Sequence, residues 1–243
     1  MGTEIVLLHG FTHTGASWSA VAQALPERYR ALVPDLRGHG AASGARPIGP
    51  AECVADVAAR APERFAVAGY SMGARVALLT ALTHPVRVER LALVGVTPGI
   101  ADPVEREARR ESDEALAAEI GAEGIEAFAA RWGRLPLFKG QPAAVAEAAH
   151  ADRLRNDPAG LAAALRGLGP AAFEPMWGRL EELPMPVTLI VGERDAKFRK
   201  IAERMEARLR HAEVLVVPGA GHAVHLEAPR LVAAALEQPG GAG

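Results

Sequence analysis

Short runs of β-branched and leucine residues alternate with alanine-rich stretches along most of the chain. The runs Glu4–Leu8, Ala31–Pro34, Phe65–Ala68, Arg90–Gly95, Pro186–Val191 and Glu213–Val217 are almost continuously apolar. That is the pattern of strands covered on both faces of a parallel sheet. Helices are predicted between them, over Ser17–Leu25, Ala51–Arg60, Met72–Thr83, Ala196–Arg210 and Ala223–Glu237. Strand alternating with helix gives an α/β fold with a mostly parallel sheet of about six strands.

The alternation stops between about Ile100 and Glu182. No strand pattern occurs there, only amphipathic Ala/Arg/Glu-rich pieces broken by Gly124, Pro136, Gly140, Pro142, Pro158, Gly169 and Pro170. The expected organisation is a core of residues 1–99 and 183–243, with residues 100–182 inserted as a helical cap. Such a cap would cover the carboxyl ends of the strands, where open α/β sheets bind ligands. The tail Pro239–Gly243 is expected to fray.

With 243 residues and 49% apolar content the chain can bury one sizeable core. A formal charge of −2 leaves no broad basic surface, which argues against nucleic acid and anionic membranes as partners. No leader or membrane span is visible, so no membrane insertion and a cytoplasmic location are expected. Cys53 stands alone and reads as a buried apolar thiol.

Gly69-Tyr70-Ser71-Met72-Gly73 joins the Phe65–Ala68 strand directly to the helix starting at Met72. A Gly-x-Ser-x-Gly turn at that junction is a nucleophile elbow, in which small flanking residues let the backbone bend sharply enough to present the serine hydroxyl. The partners required by such an elbow are an acid and then a histidine, each in a loop after a later strand. Asp195 follows the strand ending at Val191, and His222 follows the strand ending at Val217. Asp195 also suits the N-cap of the next helix, and His225 is the rival base. The loop after the first strand, Leu8-His9-Gly10-Phe11, can present the Phe11 N–H beside that of Met72 as an oxyanion hole. His9 and His13 sit in a Gly/Thr-rich loop without a third ligand, which disfavours a metal. Asp35 and His39 are read as loop-shaping residues. No Gly-x-Gly-x-x-Gly follows the first strand, which disfavours a dinucleotide. No cofactor is expected.

These residues, with Asp35-Leu36-Arg37-Gly38-His39-Gly40, resemble the α/β-hydrolase superfamily over the whole chain. More narrowly, the chain resembles the 2-succinyl-6-hydroxy-2,4-cyclohexadiene-1-carboxylate synthase family of menaquinone biosynthesis. The narrower likeness rests on the elbow through Ala74-Arg75, Thr97–Ile100, Arg109–Asp113, Trp132 with Pro136-Leu137-Phe138, Arg153–Asn156, Gly192–Phe198 and Gly221–His225. Ala74 stands where the family usually has a second glycine. The chain begins at the equivalent of the third superfamily strand, so a sheet lacking the N-terminal strands is expected.

The resemblance implies a lyase, not a hydrolase. Its substrate would be a cyclohexene bearing ring carboxylate, succinyl and enolpyruvyl groups, from which proton removal expels pyruvate. Ser71, His222 and Asp195 would move the proton. Arg75 stands near the positive end of the elbow helix, where a cation is disfavoured unless an anion is close. Arg109 and one of Arg153 or Arg155 would join it to hold the carboxylates of a small polycarboxylate, with Arg155 taken as the candidate. Arg109 also has possible helix partners in Glu105 and Asp113. Tyr70 and Trp132 would line the site, although core packing also explains Trp132. The alternative is a serine hydrolase of a small carboxylate ester, lactone or carbon–carbon bond; a ligand receptor on the same fold is a third possibility. Oligomeric state is not indicated.

Overall fold

A computed structural model describes residues 3–237; the predicted fraying of Pro239–Gly243 lies outside them. Six strands form one sheet: β1 (Thr3–Leu8), β2 (Tyr29–Leu32), β3 (Phe65–Tyr70), β4 (Val88–Val94), β5 (Val187–Gly192) and β6 (Ala212–Val217). Their order is β2-β1-β3-β4-β5-β6, and every pairing is parallel. The second strand begins two residues earlier than its apolar pattern suggested, because Tyr29 pairs with Thr3 at the start of the ladder.

The continuous apolar runs are explained by two cores, one on each face. Along β1, Val6 and Leu8 enter one cluster while Ile5 and Leu7 enter the other; along β3, Phe65 and Val67 oppose Ala66, Ala68 and Tyr70. The strand period of two therefore finds a buried partner on both sides. The first face packs on α2 (Pro50–Arg60) and α3 (Met72–Thr83), the second on α1 (Ser19–Ala24). The predicted helix at Ser17 opens as a 3₁₀ turn over Gly15–Trp18, capped by the Thr14 hydroxyl.

Between β4 and β5 the chain forms only helices: α4 (Pro103–Trp132), α5 (Ala143–Arg153) and α6 (Pro158–Leu168), with short 3₁₀ turns. Asp102 starts α4 by accepting the Val104 and Glu105 N–H groups, and Pro103 occupies the first turn, where its missing N–H costs nothing. Gly124, at φ 79, breaks the helical backbone inside α4. Ala117, Ile120 and Phe128 of α4 pack on Leu161, Ala162 and Leu165 of α6, giving this segment its own small core. Phe11 and Trp132 connect that core to the sheet loops.

After β5, α7 (Ala196–Glu206) lies on the first face, and α8 (Val224–Glu227) and α9 (Pro229–Glu237) lie on the second. One continuous helix over Ala223–Glu237 was expected. It is interrupted before Pro229, whose ring removes a backbone donor and disfavours helix at the preceding residue.

Candidate active site

Ser71 occupies the turn between β3 and α3 with φ 51, ψ −104, a conformation that costs energy for a side-chain-bearing residue. Both neighbouring glycines are required by close approach. A Cβ on Gly69 would strike the Gly73 carbonyl, and one on Gly73 would strike the Leu8 carbonyl. The Ser71 N–H is anchored to Val94 O at 2.9 Å. Met72 is the first residue of α3, so its N–H has no acceptor within the helix.

Asp195 serves two purposes with its two oxygens. Oδ1 accepts the Phe198 N–H at 3.3 Å as the α7 cap, and Oδ2 accepts from His222 Nδ1 at 2.7 Å. Donation from Nδ1 leaves Nε2 of His222 as the basic nitrogen, the tautomer a general base needs. The imidazole is nearly fully buried and lies between Tyr70 and Phe198, with ring centroids 5.3 and 4.4 Å away. Gly95, at φ +58, is needed here too, since a Cβ would come within 2.7 Å of the ring. The carboxylate of Glu227 steadies the same loop by accepting the Gly221 N–H at 2.9 Å and pairing with Arg194 at 2.6 Å. That brace was not evident from sequence, because the two residues are 33 apart.

His225 has no carboxylate partner among the described residues. It is wholly buried against Trp18 and Tyr70, and burial holds its pKa well below the ordinary imidazole value. His9 is equally committed: Nε2 accepts the Leu36 N–H at 2.9 Å while Nδ1 faces Gly10 O. Burial lowers its pKa to about 4, so it is a neutral structural link between loops. Asp35 accepts the Gly15 and Ala41 N–H groups, as a loop-shaping residue should. Among the described residues no three His, Cys, Asp or Glu side chains gather into a metal-binding group.

Ser71, His222, Phe11 and Met72 all line a cavity of about 750 Å³. Arg75, Arg109 and Trp132 line it as well. Arg75 is buried, gives one hydrogen bond to Leu168 O at 3.1 Å, and has no partner for Nε. Burial, assisted by the nearby Arg109 charge, lowers its pKa; an incoming carboxylate would relieve that cost. Arg109 pairs with Asp113 at 2.8 Å, not with Glu105, and still borders the cavity. Burial raises the Asp113 pKa against the opposing pull of Arg109.

Two expected binding residues are placed elsewhere. Tyr70 is the last residue of β3, and the alternation of the strand sends its ring to the second face, behind His222 and against His225. It supports the histidine and does not line the cavity. Arg155 lies beyond the end of α5 with its side chain 66% exposed, and also stands outside the cavity lining. Arg153 is the inward residue of the pair, buried with its guanidinium 5.1 Å from the Phe138 ring centroid, but it too falls outside that lining. Two cations that sequence reasoning did not select, Lys197 and Arg204 of α7, do line it.

Residues 5–235 match the model of the alpha/beta hydrolase family, and the chain belongs to that family. Within it the similarity is narrower. A Bacillus subtilis protein provisionally named 2-succinyl-6-hydroxy-2,4-cyclohexadiene-1-carboxylate synthase is 38% identical over 93% of this chain and 86% of that protein. The Enterobacter sp. protein of the same name is 34% identical over 96% of this chain and 90% of that one. The solved structure of MenH from S. aureus superimposes with a TM-score of 0.90 at 27% identity, covering 96% of this chain and 91% of that chain.

Proposed function

We propose that this protein is a carbon–oxygen lyase of menaquinone biosynthesis, eliminating pyruvate from 2-succinyl-5-enolpyruvyl-6-hydroxy-3-cyclohexene-1-carboxylate. The observation that carries the reading is the pair Arg75 and Arg109 on the wall of the same cavity as Ser71 and His222. Similarity to synthases of that name supports it.

In this reading the carboxylates of the substrate pair with the guanidinium groups, which fix the ring against Ser71. Nε2 of His222 takes the Ser71 hydroxyl proton, and the serine oxygen takes the proton beside the succinyl ketone. The Phe11 and Met72 N–H groups hold the resulting enolate oxygen. Collapse of the enolate forms the ring double bond and breaks the carbon–oxygen bond to the enolpyruvyl group, which leaves as the enol of pyruvate and takes its proton from His222. Ser71 works as a proton relay and forms no bond to carbon. The chemistry requires no cofactor. Residues 100–182 act in this reading as a cap over the cavity, and the reaction is assigned to the cytoplasm; no helix among the described residues is long and apolar enough to cross a membrane.

Mass spectrometry of the products formed from this intermediate, with and without protein, tests the reading. Pyruvate should appear without a Ser71 adduct and without oxygen from labelled water entering at the cleavage step. An accumulating acyl-enzyme would instead establish a serine hydrolase. Arg75→Ala should lower catalytic efficiency about 100-fold, with Arg75→Lys recovering only part, because lysine keeps the charge and loses the planar fork.

A further inference from the structure

The substrate class proposed above carries three carboxylates, yet of the arginines expected to hold them only Arg75 and Arg109 line the cavity, Arg155 being exposed and Arg153 buried outside that lining. The same cavity has a second basic wall. Lys197, Ile201 and Arg204 recur at i, i+4 and i+7 on α7 and all three line the cavity. That spacing stacks them on one face, with the two cations about 10 Å apart along the helix.

Both cations are exposed on α7 at the cavity, and neither is paired with a carboxylate among the described residues. Four arginines around the helical segment are paired within the protein among the described residues: Arg106 with Glu174, Arg131 with Glu123, Arg166 with Glu114 and Arg194 with Glu227. Lys197 and Arg204 have no carboxylate within 4.0 Å among the described residues. Lys197 also stands in the first turn of α7, which contains no acidic residue. A cation at that end of a helix opposes the backbone dipole. Arg204 is held over the Trp177 ring at 4.6 Å, and the Trp177 indole is itself fixed by donation to Gly99 O at 3.1 Å. Such an arrangement orients a guanidinium without discharging it.

We propose that Lys197 and Arg204 form a second carboxylate subsite, which takes an anionic arm of the substrate not held by Arg75 and Arg109. This rests on the lyase reading for the identity of the substrate, while the subsite itself requires only a polycarboxylate. The α7 wall begins two residues after Asp195, so a group anchored on it is tied directly to the catalytic loop. Asp102 and Glu105 also line the cavity. Asp102 is engaged in capping α4, whereas Glu105 would repel a bound anion.

The test combines kinetics with a titration that needs no turnover. For pyruvate release, Lys197→Gln and Arg204→Gln should each raise KM about fivefold and together more than about tenfold, and should flatten the fall of kcat/KM with salt. Lys197→Arg should restore most of the affinity. Glu105→Gln should leave KM unchanged or lower it. If it raised KM as Lys197→Gln does, the cations would be acting by closing onto Glu105 and the proposal would fail. In calorimetry, affinity for benzene-1,2,4-tricarboxylate should drop in the double variant while benzoate binding changes little. A wild type that does not bind the tricarboxylate, or a double variant that binds it equally well, overturns the subsite. Tricarboxylate binding lost in the double variant, with a wild type that releases no pyruvate, would refute the lyase and leave the subsite standing; pyruvate release with unchanged KM in the double variant would do the reverse.

Discussion

Two buried His–Asp pairs lie among the described residues, and only one of them borders the cavity. His222 and Asp195 are 2.7 Å apart on the loops after β6 and β5, with His222 on the cavity wall beside Ser71. His13 and Asp152 are 3.0 Å apart, joining the loop after β1 to α5. Asp152 also accepts the Thr14 N–H and hydroxyl, while Nε2 of His13 is buried without a partner. The local chemistry is nearly the same. What separates the proposed proton-transfer pair from a structural clamp is whether the imidazole borders a cavity shared with a serine or ends in packed protein.

The largest effects should come from the cavity-facing pair. His222→Ala and Ser71→Ala are each expected to lower kcat about 10⁴-fold, and Asp195→Asn about 10³ to 10⁴-fold, with the double loss far from additive because in the proposed mechanism the three act as one relay. Turnover assays alongside thermal melts check this. A folded His222→Ala protein with near-normal turnover would reassign the base.

Breaking the other pair should act on stability. Asp152→Asn leaves one of three buried donors opposite an amide N–H and should cost about 2–4 kcal/mol of unfolding free energy, measured by denaturant titration. Burial works against the Asp152 charge, but the hydrogen bonds from His13 and Thr14 outweigh it and hold the carboxyl below its usual range. A loss below 1 kcal/mol would show that the helical segment is not clamped through this contact.

The buried imidazoles set a pH dependence of their own. His9 is held neutral down to about pH 4 by burial, whereas in the unfolded chain it protonates near 6.5. The unfolded state therefore binds more protons between those values, and stability must fall as pH drops through that window. His9 alone should remove about 2 kcal/mol between pH 7.5 and 5, on the scale of about 1.4 kcal/mol per pH unit. His13, His39 and His225, also lowered by burial, add in the same direction. His225→Phe should make the loss shallower. Denaturation midpoints independent of pH across this range would contradict the neutral histidine assignment.

The smallest effect is predicted for Arg155→Ala, less than about twofold in kcat/KM, as expected of an exposed side chain outside the site. A large loss there would place this arginine in the cavity after all.

Much of this was legible in the order of residues. Apolar runs on a period that buries both strand faces located all six strands, and the elbow needed its glycines at Gly69 and Gly73 because backbone from neighbouring segments passes within van der Waals distance. The acid and histidine could be ordered along the chain because each follows a strand of a parallel sheet, whose carboxyl ends share one edge. Direction in space was not legible to the same degree. Tyr70 adjoins Ser71 in sequence, yet strand alternation turns it to the opposite face; Arg153 and Arg155 differ by two positions, and only the docking of α5 buries the first and exposes the second. Lys197 and Arg204 gained a common cavity only when α7 was laid beside the helical segment. Sequence spacing determines which residues share an element and a stripe, through the fixed periods of helix and strand; which stripe meets a cavity, a clamp or solvent is decided by packing between segments far apart in the chain.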